Sequence, residues 1–574
     1  MSAYKLESIL GPLFKLLEAT FELFVPLVVA QIVDVGIKNG DTAYIWRMCL
    51  ILVALGVIGL ICSITAQYFA AKASVGFATK LRHVLFAHVQ SFSYENLDRA
   101  GTSTLITRMT SDINQVQSGV NLALRLLLRS PFVVFGAMIM AFTIDVKSAL
   151  IFTLTIPVLC VIVFGIMLLS IPLYRKVQKA LDGVLGITRE NLSGARVIRA
   201  FCQEGEQTEE FDRRNETLTS IQKLVGRITA LLNPLTYLII NLAIIWLVWT
   251  GAVQVDAGIL TQGQVIALYN YMSQILVELI KMANLIITMT KAAACGGRIQ
   301  AVLDTEPSMK EGSLAPADSE ADATHPVSVR FDHVELTYAG AGAPSLTAID
   351  FSAAPGQTIG IIGGTGSGKS SLVSLIGRFY DATEGQVLLD GTDVRDYSFA
   401  ALRKLVKIVP QKAVLFHGSI RENMQWGQED ATDEEIMAAI ELAQASEVVA
   451  GKEGGLDFVL EQGGRNLSGG QRQRLTIARA LLGHPAVLIL DDSASALDYA
   501  TDLRLRRAIA GMQNAPTTFI VSQRAASLRH ADSIVVLDDG EMVGHGTHEQ
   551  LLENCTVYQE IYYSQFPEEE GKNK

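Results

Sequence analysis

Four stretches of this chain, Met48–Ala71, Ala149–Tyr174, Ile228–Val255 and Ala257–Val277, contain no Asp, Glu, Lys or Arg. A bilayer core is crossed by roughly 20 apolar residues in a helix, and few soluble folds tolerate repeated runs of that length. The last run extends past Glu278 and Lys281 towards Thr290. Two less clean segments follow the same pattern. Leu13–Ile37 includes Lys15, Glu18, Glu22 and Asp34, and Val120–Ile144 includes Arg125 and Arg129. The expectation is six spanning helices.

Beyond about residue 305 the composition becomes that of an ordinary globular domain. The whole-chain averages, 49% hydrophobic and 18% charged, therefore blend two unlike parts. The expected organisation is a transmembrane domain over 1–305, a linker over 306–326 and a soluble domain over 327–574. The linker is rich in Pro, Ser, Ala and acids and is expected to be extended or mobile. The net charge of −11 speaks against nucleic acid as a partner. The six cysteines are scattered with no CxxC and read as small buried apolar residues. The N-terminus has no short apolar core with a cleavage site, so no cleavable leader is expected.

Basic residues concentrate in two long connections, Lys72–Arg108 and Arg175–Arg227. The side of the membrane that holds them is the cytoplasmic one, which places both chain ends there too. Apolar residues recur every three or four positions in both connections. They are expected to prolong the membrane helices into the cytoplasm, with turns near Gly101–Val116 and Gly194–Phe211. Charged residues inside spans are costly and face protein or a wet cavity, so Glu18, Glu22, Arg125, Arg129, Glu278 and Lys281 are candidates to line one.

In the soluble part, Gln357–Ile362 reads as a buried strand. It leads into Gly363, Gly364, Thr365, Gly366, Ser367, Gly368, Lys369, Ser370 and Ser371, and then into an apolar helix. This is GxxxxGK[ST] in the strand–loop–helix context that it needs. Glycines let the backbone wrap phosphates, and the helix start presents amides and a positive dipole end. Lys369 can neutralise the β- and γ-phosphates, and Ser370 can ligate Mg²⁺. The run LILDD ends in Asp491, a second Mg²⁺ ligand, and Asp492. Between these motifs lies Asn466–Leu482, NLSGGQRQRLTIARALL, a second anion-type helix start. One nucleotide cannot easily use both helix starts in one subunit, whereas two subunits arranged head to tail could.

LSGGQ, set between the P-loop and an apolar strand ending in two acids, resembles the nucleotide-binding domain of ABC transporters. Six spans fused ahead of it resemble exporter half-transporters. The implied fold is an α-helical six-span transmembrane domain with long cytoplasmic helical extensions, followed by an α/β P-loop ABC nucleotide-binding domain. The resemblance implies ATP and Mg²⁺ as cofactors, a place in the cell membrane and an amphipathic small-molecule or lipid substrate. It puts Tyr338 against adenine and Gln411 at Mg²⁺ beside Ser370 and Asp491. Ser468, Gly469, Gly470 and Gln471 would lie against the nucleotide of the opposite subunit, and Ser495–Asp498 at the dimer interface.

The chain departs from the family at two places. The family pattern after the strand is Asp-Glu, and here it is Asp491-Asp492. The family has histidine where IVSQR carries Gln523. The shorter Asp492 loses roughly 1.5 Å of reach, and Gln523 carries no proton charge near neutral pH. Slow hydrolysis is therefore expected at this P-loop. So is a second, different half-transporter with intact catalytic residues. The alternatives are a slow homodimeric exporter or an ATP-gated channel or sensor. An importer is disfavoured because its membrane and nucleotide domains are usually separate chains.

Overall fold

A computed structural model describes residues 4–314, 325–493 and 495–567. The chain divides into two compact units. One comprises residues 1–90 and 102–305, the other 91–101 and 306–574.

Among the described residues of the first unit, six helices are long and apolar enough to span a membrane: Lys5–Ile37, Thr42–Gln90, Thr102–Ile144, Val146–Ser193, Glu204–Asp256 and Gln262–Leu303. They run from 33 to 53 residues, well past the roughly 20 that a bilayer core requires. Small residues let neighbours approach closely. A Cβ added at Gly11 would sit 3.5 Å from the Ala70 backbone nitrogen, and Ala66, Ala70 and Ala73 are buried along the second helix. Trp249, Val161 and Leu168 are exposed in the single chain, as apolar residues of membrane-spanning helices are.

The sixth helix starts later than its charge-free run suggests. Gly258 takes a positive φ of 69°, and the chain turns there. Thr261 and Gln264 then form a capping box at the helix start. Asp34, in a π-helical segment ending the first helix, accepts hydrogen bonds from the Gly263 amide at 2.8 Å and the Thr261 hydroxyl at 2.5 Å.

The first expected turn region needs correction. The helix breaks before Tyr94–Ala100, a short helix capped by Ser93 and Asn96, and 102–116 is already on the returning helix. The cap and Gly101, at φ 74°, place the break upstream of Gly101–Val116. The second expected region, Gly194–Phe211, does contain a break, around the short helix Ala195–Ala200. The cysteines also differ from expectation in part. Cys62, Cys295 and Cys555 are buried, but Cys202 is exposed in the bend after that short helix.

Among the described residues, the second unit has twelve strands. They are β1 (Val329–Leu336), β2 (Leu346–Ala353), β3 (Thr358–Gly363), β4 (Glu384–Leu389), β5 (Thr392–Asp393), β6 (Val406–Val409), β7 (Gly418–Ser419), β8 (Val459–Leu460), β9 (Val487–Asp491), β10 (Thr517–Val521), β11 (Ser533–Asp538) and β12 (Glu541–Gly546). Ten of them form one sheet in the order β5-β4-β1-β2-β12-β11-β3-β10-β9-β6, and β7 pairs with β8. Strands β6, β9, β10, β3 and β11 run parallel. Strand β10 is buried throughout, as a central parallel strand covered on both faces must be.

The expected linker is only partly extended. Leu314 bridges to Tyr397, and the Lys310 carbonyl accepts a hydrogen bond from Arg378 at 2.8 Å. Residues 306–314 are thus pinned by backbone groups whose availability composition cannot reveal. Residues 315–324 lie outside the described residues.

Candidate functional site

Four neighbouring parallel strands deliver their carboxyl ends to one place. Strand β3 leads into the P-loop, β10 into Gln523, β9 ends at Asp491, and β6 leads to Gln411. Ligands of open α/β sheets gather at such carboxyl ends, particularly where the strand order switches. A cavity of about 430 Å³ opens there, lined by Thr365, Gly366, Gly368, Lys369, Ser370, Ser371, Gln411, Asp491, Asp492 and Gln523 among others.

The loop geometry follows from its glycines. Gly366 and Gly368 have φ of 88° and 92°, a region that side chains rarely tolerate. A Cβ on Gly368 would also crowd the Ser345 carbonyl at 2.9 Å. Lys369 opens the helix Lys369–Ile376, and its ammonium donates to the carbonyls of Gly363 (3.0 Å) and Gly364 (2.5 Å) and to the Ser367 hydroxyl (3.3 Å). Burial pulls the Lys369 pKa down from its ordinary value, against the opposing pull of Asp492 and Asp491. The side chain is a partly desolvated cation, and such a cation gains most from an anion.

Asp491 stands opposite. Its carboxylate accepts from the Ser370 hydroxyl at 3.0 Å. Burial pushes the Asp491 carboxyl up, the Ser370 hydrogen bond pulls it down, and the Asp492 charge adds to the rise. A hydroxyl, a carboxylate and the nearby Gln411 amide are hard oxygen donors of the kind Mg²⁺ takes, so this donor set fits the ion. Bound there, Mg²⁺ would supply charge neutralisation of the phosphates. Asp492 takes a left-handed backbone, φ 45°, unusual outside glycine. It is fixed there by its amide on the Val521 carbonyl (3.0 Å) and by the Gln411 side-chain amide on its carboxylate (3.1 Å).

The remaining candidates lie elsewhere in the unit. Tyr338 does not line the main cavity. Its hydroxyl donates to Ser371 at 2.9 Å, and its ring meets Tyr380 edge-on at 4.9 Å. Ser468, Gly469, Gly470 and Gln471 are likewise outside it. Ser468 caps the helix Gly469–Leu482 in a capping box with Gln471, which orients that helix start without closing the P-loop cavity. Asp498 caps Tyr499–Ala510 through the Thr501 amide, and Ser495 bonds back to the Asp492 carbonyl at 2.9 Å. Sequence reasoning missed Ser345, Asp539 and Gly540 at the cavity rim. The Asp-Asp-Gly turn after β11 was the available signal, since it ends a strand beside β3.

Long membrane-type helices joined to a P-loop α/β domain define an ATP-driven membrane transporter with exporter architecture. The family model for the ABC transporter transmembrane region matches residues 8–279, and the ABC transporter model matches 346–495. The chain belongs to the ABC transporter family. It is 37% identical over 560 residues to the ABC transporter ATP-binding protein MT1311 of Mycobacterium tuberculosis (strain CDC 1551 / Oshkosh), covering 96% of this chain and 95% of that one. It is 29% identical over 568 residues to the ATP-dependent lipid A-core flippase of Escherichia coli O6:K15:H31, covering 99% and 96%. Its fold matches a bacterial Atm1-family ABC exporter solved with ATP bound, at TM-score 0.81 and 22% identity, over 98% of this chain and 99% of that one. It is a polytopic membrane protein with a cytoplasmic nucleotide-binding domain.

These likenesses overturn the expected second, different half-transporter. Neither the Atm1-family exporter nor the lipid A-core flippase that the chain resembles is described as one half of a heterodimer. The physical reason is simple. The length of Asp492 and the neutrality of Gln523 bear on proton and water positioning within one site, and neither residue specifies which chain completes that site.

Proposed function

We propose that two copies of this chain form an exporter that moves lipids or other amphipathic molecules at the expense of ATP, with slow turnover at both nucleotide sites. The observation that carries the two-copy reading is the place of LSGGQ. Ser468–Gln471 starts a helix in the same unit as the P-loop yet lines no part of its cavity. Its anion-binding end serves a nucleotide held by the other copy. Lys369 neutralises phosphate there, Ser370, Asp491 and Gln411 hold Mg²⁺, and Tyr338 supports the base. ATP favours the closed pair because it binds that state better, and only such a difference can move the membrane helices. The lipid-type substrate rests on likeness to lipid A-core flippases.

A mixing experiment tests the pairing. Lys369→Ala chains and Ser468→Arg chains should each be inactive alone. Mixed dimers should recover hydrolysis, because one of their two sites then has an intact P-loop and an intact signature. No recovery on mixing would place the whole site within one chain.

Slow turnover rests on Asp492 and Gln523. The double change Asp492→Glu with Gln523→His should raise kcat on the order of 100-fold, the cost of about 1 Å of misplacement. An unchanged kcat in single-turnover measurements would show that these two side chains do not limit the rate.

A further inference from the structure

The first unit holds a cavity of about 440 Å³ between the first, third and sixth helices, lined by Glu22, Asn270, Ser273, Gln274, Glu278 and Lys281 and by valines of the same helices. Its charges form one chain of contacts. Arg129 donates to Glu22 at 2.6 Å and to Glu278 at 2.5 Å, and Lys281 donates to Glu278 at 2.8 Å. Two cations and two anions balance. Arg129 and Glu278 are buried, while the side chains of Glu22 and Lys281 remain 42% and 43% exposed. The groups that a ligand can reach are therefore one carboxylate and one ammonium. Beside them, the Gln274 Oε1 is buried without a hydrogen-bond partner.

Resting on the lipid-export reading above, we propose that this cavity selects amphiphiles whose headgroup carries both a phosphate and a primary ammonium. A headgroup with net negative charge would pair with Lys281 and bring no cation for the reachable Glu22. One with net positive charge would meet Lys281. Uncompensated charge is costly in a low-dielectric site, and a zwitterion brings its own balance. The phosphate pairs with Lys281 and the ammonium with Glu22. Turned into the cavity that Gln274 lines, its unpaired and now closed-off carbonyl takes an N–H donor, which a primary ammonium offers and a quaternary one lacks. The valines accept the first part of the acyl chain.

The test uses the full-length protein in vesicles, each doped with one of three acyl-labelled probes: phosphatidylethanolamine, phosphatidylcholine or phosphatidylglycerol. ATP-dependent loss of label from one leaflet is followed together with ATP hydrolysis. The expected result is at least tenfold faster movement of the ethanolamine lipid than of either other probe. Gln274→Leu, or Gln274→Met if the first variant folds poorly, should then narrow the ethanolamine-to-choline ratio. Equal movement of all three, or preference for choline or glycerol, overturns the headgroup assignment and leaves lipid export standing. Hydrolysis with no movement of any probe overturns both.

Discussion

Replacing Lys369 with alanine is expected to lower ATP hydrolysis by at least about 100-fold, the range seen when one preorganised charge-stabilising donor is removed. Its ammonium is already aimed. Three acceptors of the P-loop hold it, at Gly363, Gly364 and Ser367, and the side chain is buried. A phosphate bound in the cavity exchanges those neutral acceptors for an anion, in surroundings where burial has made the bare cation costly. Alanine leaves Asp491 and Asp492 facing the same cavity with no cation between them, so incoming phosphate meets net repulsion. The fold should survive, because the strand β3 and the helix behind it are packed by Ile361, Leu372 and Val373 rather than by the lysine. The check is kcat and ATP affinity of the purified variant, with circular dichroism as the folding control. A loss below tenfold would assign phosphate neutralisation to another group.

The second large effect is expected in the membrane unit. Arg129→Leu should destabilise the protein by about 3–5 kcal/mol, the usual result of removing one partner of a buried ion pair. Glu278 would keep Lys281 and the Ser130 hydroxyl, which donates to it at 2.9 Å, but would lose its buried counter-charge. Glu22 would lose its only ion-pair partner among the described residues. Because Arg129 lies on the third helix, Glu22 on the first and Glu278 on the sixth, the loss loosens three helices at once. Thermal unfolding in detergent should show a lower midpoint. The informative companion is Arg129→Met with Glu278→Leu. Removing both buried members leaves unpaired only Glu22 and Lys281, which are part-exposed and can be hydrated, so stability should recover most of the loss. If the double variant is as unstable as the single one, packing around Arg129 rather than charge sets the stability there.

The sequence alone determined the division into a membrane part and a nucleotide part. It did so because both signals are local. A charge-free run of 20 or more residues carries its meaning wherever it sits, and GGTGSGKSS between a strand and a helix encodes its own backbone through its glycines. Asp491 was legible for the same reason, standing at the end of an apolar strand. Local patterns are weaker at edges. A charge-free run cannot say that Gly258 turns the chain, nor that Ser93 and Asn96 cap a short helix ahead of Gly101.

Only the tertiary structure decided what distant residues do together. Gln411 and Asp492 are 81 positions apart, and their contact exists because β6 and β9 are neighbours in the sheet. Arg129 and Glu278 are 149 apart, and nothing in either span's composition names its partner. Sequence reasoning marked both as charges needing company. Which charge found which, and that Gln274 beside them was left unpaired, depended on how three helices pack, because burial and pairing are properties of the space between elements rather than of any one of them.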